Sequence, residues 1–201
     1  MKAATMKIPK TLLTSHRRPA LRKRHLAAAG LVLGAAVLLT ACQSAPTRPP
    51  LAVAERLDID RYMGDWYVIA VIPTWPEREA YDAVERYERR PDGKIATTFT
   101  YRHGGHDEPI KTMHPVGTVL PNTGNAIWTM QFLWPFEADY RIMHIDPDYK
   151  EVVVGREKRD YVWIMSRTPT MPAADLERLT RFVAAQGYDV SKLRKVPQRP
   201  R

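Results

Sequence analysis

The chain has 201 residues, with 31 Lys and Arg against 22 Asp and Glu and a formal net charge of +9. The excess is local. Lys2, Lys7, Lys10, Arg17, Arg18, Arg22, Lys23 and Arg24 all fall in the first 25 residues, where there is no acid, and the rest of the chain holds 23 bases against 22 acids. That balance excludes a composition-based case for nucleic-acid binding, and the single cysteine, Cys42, excludes an intrachain disulfide.

The basic stretch runs into an apolar segment from Leu26 to Ala41. A charged start, an apolar run and small residues at its end make a signal peptide. The 16 residues of the run fall short of the roughly 20 that cross a bilayer comfortably. Leu39-Thr40-Ala41-Cys42 resembles the lipobox of bacterial lipoproteins. The resemblance implies that residues 1–41 are removed and that Cys42 becomes the lipid-bearing first residue. Two or more acyl chains hold a protein on a membrane where one is marginal, at about 0.8 kcal/mol per buried CH2. Gln43, rather than Asp, after the cysteine implies passage to the outer membrane under the sorting rule of enteric bacteria. The expected location is therefore the periplasmic face of that membrane. The 160 residues from Cys42 onward suffice for one domain with its own core.

Residues 42–55 contain Pro46, Pro49 and Pro50 and little to bury, so they read as a tether carrying a domain over residues 56–201. Short β-rich runs then recur: Gly64 to Ile72, Ala80 to Arg89, Lys94 to His103, Lys111 to Leu120, Ala126 to Trp134, Asp139 to Ile145, Glu151 to Arg156 and Asp160 to Arg167. Pro91-Asp92-Gly93, Pro121-Asn122-Thr123-Gly124 and Asp146-Pro147-Asp148 supply turns between them. No helical segment long enough for a parallel crossover intervenes, so the sheet is expected to be antiparallel and up-and-down. After Arg167 the period changes. Pro172 suits a first helical turn, Leu176, Leu179 and Val183 recur on one face, and Gly187 ends one C-terminal helix. Eight such strands close into a barrel or stack as a β-sandwich, and periodicity alone leaves both open.

Three segments decide between them. Tyr62-Met63-Gly64-Asp65-Trp66-Tyr67 resembles the first-strand G-x-W motif of the lipocalins. Ile145-Asp146-Pro147-Asp148-Tyr149 resembles their second motif, and the run from Asp160 to Thr170, with Arg167, their third. The resemblance covers about Arg56 to Val190 and is nearest to the bacterial outer-membrane lipocalins. It implies an all-β fold, an eight-stranded antiparallel barrel with one C-terminal helix, and it places Arg167 across the indole of Trp66 at a closed end. There Gly64 leaves room for the chain, and Asp146 and Tyr149 are turn and capping residues. All five are fold-defining positions rather than chemistry.

The resemblance also implies a lipidic ligand, such as a fatty acid or lysophospholipid, held by side chains pointing into the barrel. Parity supplies candidate sets: Met130, Phe132 and Trp134; Tyr140, Ile142 and His144; Trp163 and Met165. Alternation groups each set on one face without saying which face is inside. The loop Trp75-Pro76-Glu77-Arg78-Glu79, with Arg102 or Arg141, is placed to meet a headgroup. A homodimer is left open.

Catalysis finds little support. Beyond the leader the serines are Ser44, Ser166 and Ser191, with no G-x-S-x-G, and the one thiol is expected to be acylated. No phosphate-cradling glycine loop is present, and no cofactor is expected. His103-Gly104-Gly105-His106-Asp107-Glu108 gathers metal-type ligands, but its Gly-Gly pair reads as a solvated hairpin tip, and no metal site is expected. The expected function is non-catalytic binding, storage or carriage of a lipid in the cell envelope. The alternative is a structural or assembly lipoprotein whose barrel is filled by its own side chains.

Overall fold

The computed structural model describes residues 48–199, so the leader and Cys42 lie outside the described residues. Pro49 onward forms one compact unit. Its strands are β1 (Gly64–Ile72), β2 (Ala80–Arg89), β3 (Ile95–His103), β4 (Ile110–Met113), β5 (Val116–Val119), β6 (Ile127–Leu133), β7 (Phe136–Ile145), β8 (Glu151–Gly155), β9 (Val162–Ser166) and β10 (Arg194–Lys195). A one-turn helix α1 (Ile59–Tyr62) precedes β1, and the main helix α2 (Ala173–Ala185) follows β9. Pairing is antiparallel throughout. β9 returns to β1, with Ser166 opposite Tyr67 and Val162 opposite Ile72, so the sheet closes on itself and leaves no long edge.

The barrel has eight staves. The fourth, expected as one strand over Lys111 to Leu120, is split into β4 and β5 by His114-Pro115, because Pro115 has no N–H to give to the ladder. Its carbonyl still accepts from the Thr97 N–H at 3.0 Å. β10 lies beyond the expected elements. It pairs with Ala70 and Val71 of β1, above the stretch Gly64 to Tyr67 that pairs with β2.

Burial separates two cores. Inside the barrel lie Trp66, Val68, Tyr87, Trp128, Ile142 and Met165, among others. Outside it, Leu179 and Val183 of α2 cover Met143, Val153, Val162 and Ile164. Strands buried on both faces explain why β9 reads as a continuous apolar run rather than an alternating one. The segment before α1 joins this outer layer, whereas the sequence reads as tether through residue 55. Leu51 is buried under the helix side of the barrel, the Ala52 N–H donates to Gln186 at 3.0 Å and the Ala54 N–H donates to the Ile142 carbonyl at 2.9 Å. Proline content identified an extended segment but not what its intervening apolar residues would meet.

One end of the barrel is closed by α1 and the turns after β2, β5 and β7. The Arg167 guanidinium lies 3.8 Å from the Trp66 ring centroid. It donates to the backbone carbonyls of Arg61 at 2.7 Å, Asp65 at 2.8 Å, Tyr62 at 3.1 Å and Tyr149 at 3.2 Å. Gly64 has φ +93°, a backbone conformation that calls for glycine, and a Cβ there would stand in contact with Arg167 Nη1 at 3.4 Å. The Asp146 carboxylate accepts from the N–H groups of Asp148, Lys150 and Glu151 at 3.0, 2.6 and 2.5 Å, which fixes the turn into β8. The Tyr149 hydroxyl accepts from the Asp58 N–H at 2.8 Å.

Candidate functional site

The lower barrel is packed solid. Tyr62, Trp66, Tyr87, Trp128 and Tyr140 stack edge and face with centroid separations of 5.3 to 6.3 Å, and all are buried. Above this floor is a cavity of about 310 Å3, at the lower end of the roughly 300 to 1,000 Å3 typical of small-molecule sites. Phe99, Met113, Met130, Phe132, Tyr140 and Trp163 form most of its wall, and Pro76 and Tyr161 reach it from loops at the open end. Flexible thioethers and flat rings make an adaptable apolar surface.

Four of the sequence-derived ligand candidates, Met130, Phe132, Tyr140 and Trp163, line this cavity. Ile142 and Met165 also face inward, but they sit in the packed core and not in the lining. Trp134 is at the turn between β6 and β7 and is 80 % exposed, where strand alternation has already ended. His144 points out of the barrel, its ring 5.5 Å from Phe182 of α2, because a bulge between Ile142 and His144 breaks the period of two. Partial burial there and the nearby Arg178 charge lower the His144 pKa. Arg102 and Arg141 do not line the cavity. Arg102 pairs with Asp82 at 3.5 Å, and Arg141 with Asp139 at 3.0 Å and Glu157 at 2.8 Å.

Sequence reasoning did not place polar groups inside the barrel, yet the lining includes Glu77, Glu85, Thr97 and Arg156, with Thr74 and Asp139 beside them. Glu77 was read as a loop charge, yet it is buried and turns inward. Its Oε1 accepts from Trp163 Nε1–H at 2.7 Å, and its Oε2 accepts from the Thr74 N–H at 3.0 Å and from the Thr74 hydroxyl. Glu85 is 9 % exposed on β2, between Ala83 and Tyr87 on the inward parity. That acid among apolar alternates was the signal available in the sequence. Burial, reinforced by the negative charge of Glu77, pushes the Glu85 carboxyl up to about 8. The proton therefore stays on at neutral pH.

The Tyr87 hydroxyl donates to Glu85. Its only proton being used there, Tyr87 accepts from Tyr140 at 2.7 Å, and Tyr140 in turn accepts from Tyr62 at 2.8 Å. Burial raises the Tyr62 and Tyr140 pKa values, so both of these hydroxyls stay protonated. The Thr97 hydroxyl, 2 % exposed and in the lining, has no hydrogen-bond partner among the described residues. The site is thus an apolar pocket with a few convergent polar groups and no paired nucleophile and base.

In the loop from His103 to Glu108, His106 Nδ1 lies 3.0 Å from Asp82 Oδ1 and stacks edge-on against Tyr81, while His103 lies 3.7 Å from Glu79. Among the described residues no group of three or more His, Cys, Asp or Glu is placed to hold a metal ion.

A closed eight-stranded barrel, a C-terminal helix along its outside, an arginine-capped closed end and an apolar internal cavity define a small-ligand-binding β-barrel. The family model for the lipocalin-like domain matches residues 57–198, and the chain belongs to the lipocalin family. It is 32 % identical over 176 residues to the outer membrane lipoprotein Blc of Escherichia coli K12, covering 82 % of this chain and 92 % of that protein. It is 31 % identical over 157 residues to temperature-induced lipocalin-1 of Arabidopsis thaliana, covering 74 % and 83 %. Among solved structures, insecticyanin of the tobacco hornworm Manduca sexta superposes with a TM-score of 0.58 at 14 % identity, covering 75 % of this chain and 85 % of that one. Lipocalins generally bind small hydrophobic ligands and are generally not catalysts.

Proposed function

We propose that this lipocalin is a non-catalytic envelope lipoprotein, anchored through Cys42 at the periplasmic face of the outer membrane, that binds, stores or carries a single-chain lipid such as a fatty acid or lysophospholipid. The cavity carries the reading. Its wall suits an acyl chain, and its volume of about 310 Å3 is that of a site for one small molecule. The likeness to proteins named outer membrane lipoproteins, together with the lipobox-like Leu39-Thr40-Ala41-Cys42, supports the anchor and the location.

Titration of the chain beginning at Gln43 with fatty acids and lysophospholipids of increasing length tests this. Each added CH2 contributes at most about 0.8 kcal/mol, so two carbons tighten binding by roughly tenfold until the cavity is full, with a negative heat-capacity change. Absence of saturable binding to every member would remove the carrier reading and leave a structural lipoprotein whose packed aromatic floor is its main content.

A further inference from the structure

Among the described residues the large apolar side chains left exposed are Trp75, Ile110, Phe132, Trp134 and Phe136, and their placement is one-sided. Trp75 is in the connection from β1 to β2, Ile110 opens β4, and the other three flank the turn from β6 to β7. All of these positions are at the open end. Trp75, Trp134 and Phe136 are 77, 80 and 72 % exposed, while Phe132 is both half-exposed and part of the cavity wall. Phe132 is thus common to the cavity wall and to the exposed apolar set at the rim. Clustered exposed aromatics of this kind mark an interaction surface, and indole rings in particular favour the boundary between water and lipid.

A second observation concerns the chain's entry. Arg159, in the turn from β8 to β9 at the same open end, donates through Nη2 to the Pro49 carbonyl at 2.5 Å. From there the segment descends, through the Ala54 hydrogen bond, to the closed end, where the Leu57 N–H donates to the Gly124 carbonyl at 2.7 Å. The tether thus enters at the mouth. Six residues lie between Cys42 and Pro49, and the seven steps along the chain, at roughly 3.5 Å each, reach no farther than about 25 Å. An acyl group on Cys42 would hold the mouth, rather than the closed end, near the bilayer.

We propose that the open rim is a membrane-docking surface: Trp75, Ile110, Trp134 and Phe136 enter the interfacial layer of a phospholipid bilayer and join the cavity mouth to it. The orientation argument rests on Cys42 as the lipid anchor, whereas the rim does not need it. Rim charges are mixed, Arg78, Lys111 and Lys158 standing among Glu79, Asp107, Glu108 and Glu137, so apolar insertion drives docking and anionic lipid adds little. The occupant is lipid, and a second copy of the chain is the competitor.

Vesicles of phosphatidylcholine, with and without phosphatidylglycerol, are mixed with the unanchored chain beginning at Gln43 and sedimented. Binding is expected to persist in 0.5 M NaCl, at about the same strength on both compositions. The triple variant Trp75→Ser, Trp134→Ser, Phe136→Ser alters only exposed side chains outside the cavity wall and is expected to lose at least about tenfold in partitioning, with an unchanged thermal melt. Bromine-labelled acyl chains are expected to quench Trp75 and Trp134 but not the buried Trp66 and Trp128. No partitioning by the unaltered protein, or equal partitioning by the triple variant, would overturn the proposal. So would a rim-dependent dimer that ignores vesicles in sedimentation equilibrium. Palmitate labelling of Cys42 reports the anchor separately, so failure of either reading is told apart from failure of the other.

Discussion

Replacing Glu85 by Gln isolates a single buried proton. In the unfolded chain this carboxyl titrates near 4.5, and in the barrel near 8. Between those values the unfolded state has released the proton and the folded state has kept it. The unfolded state therefore binds fewer protons, and stability falls as pH rises. The fall starts near pH 4.5, ends near pH 8 and amounts to about 5 kcal/mol at about 1.4 kcal/mol per pH unit. Glutamine has nearly the shape of the protonated acid, still accepts the Tyr87 hydroxyl through its carbonyl, and never ionises. Melts of the two proteins should agree within about 1 kcal/mol at pH 5, and the variant should be the more stable by several kcal/mol at pH 8.5. At roughly 2 to 4 °C per kcal/mol for a domain of this size, that separation is on the order of 10 °C. His144 acts in the opposite direction: its lowered pKa removes stability as pH falls below about 6.5. It is common to both proteins and cancels in the difference. Parallel melting curves from pH 5 to 8.5 would show that Glu85 is hydrated rather than buried against Glu77.

At the closed end, Trp66→Ala deletes a buried indole from beneath Arg167 and is expected to lower stability by about 3 to 5 kcal/mol, seen as a matching drop in a denaturant midpoint. Asp146→Ala removes the acceptor for three backbone N–H groups and should cost about 1 to 3 kcal/mol, with faster amide exchange at Asp148, Lys150 and Glu151. Cys42→Ser should abolish palmitate incorporation in growing cells, and a labelled variant would remove the anchor assignment. In the ligand titration, Phe132→Asp is expected to weaken acyl-chain binding more than tenfold without unfolding the domain, whereas Trp134→Asp, outside the lining, should leave Kd within about twofold.

The strands were legible in the chain because their signals are local: each is a short β-rich run between turn residues. Their closure into a barrel was not, since the same spacing fits a sandwich, and it was the resemblance of the segments holding Gly64, Trp66, Asp146 and Arg167 to the lipocalin motifs that implied it. The inward candidates on β6 were legible only in part. Strict alternation carries Met130 and Phe132 into the cavity wall, and then the turn carries Trp134 into solvent. On β7 the bulge before His144 exchanges the faces, and nothing in a period of two announces an extra residue. Leu51, set among prolines, was buried by a helix that comes more than 120 residues later. Glu77 and Glu85 show the limit most plainly. As letters they are two ordinary acids in a balanced composition. Only barrel closure brings a loop carboxylate and a strand carboxyl into one cavity, where burial, reinforced by the charge of the first, keeps the proton on the second. Strand identity follows from spacing along the chain, which the sequence contains. The charge state of the cavity follows from distances across the barrel, and those exist only once it has closed.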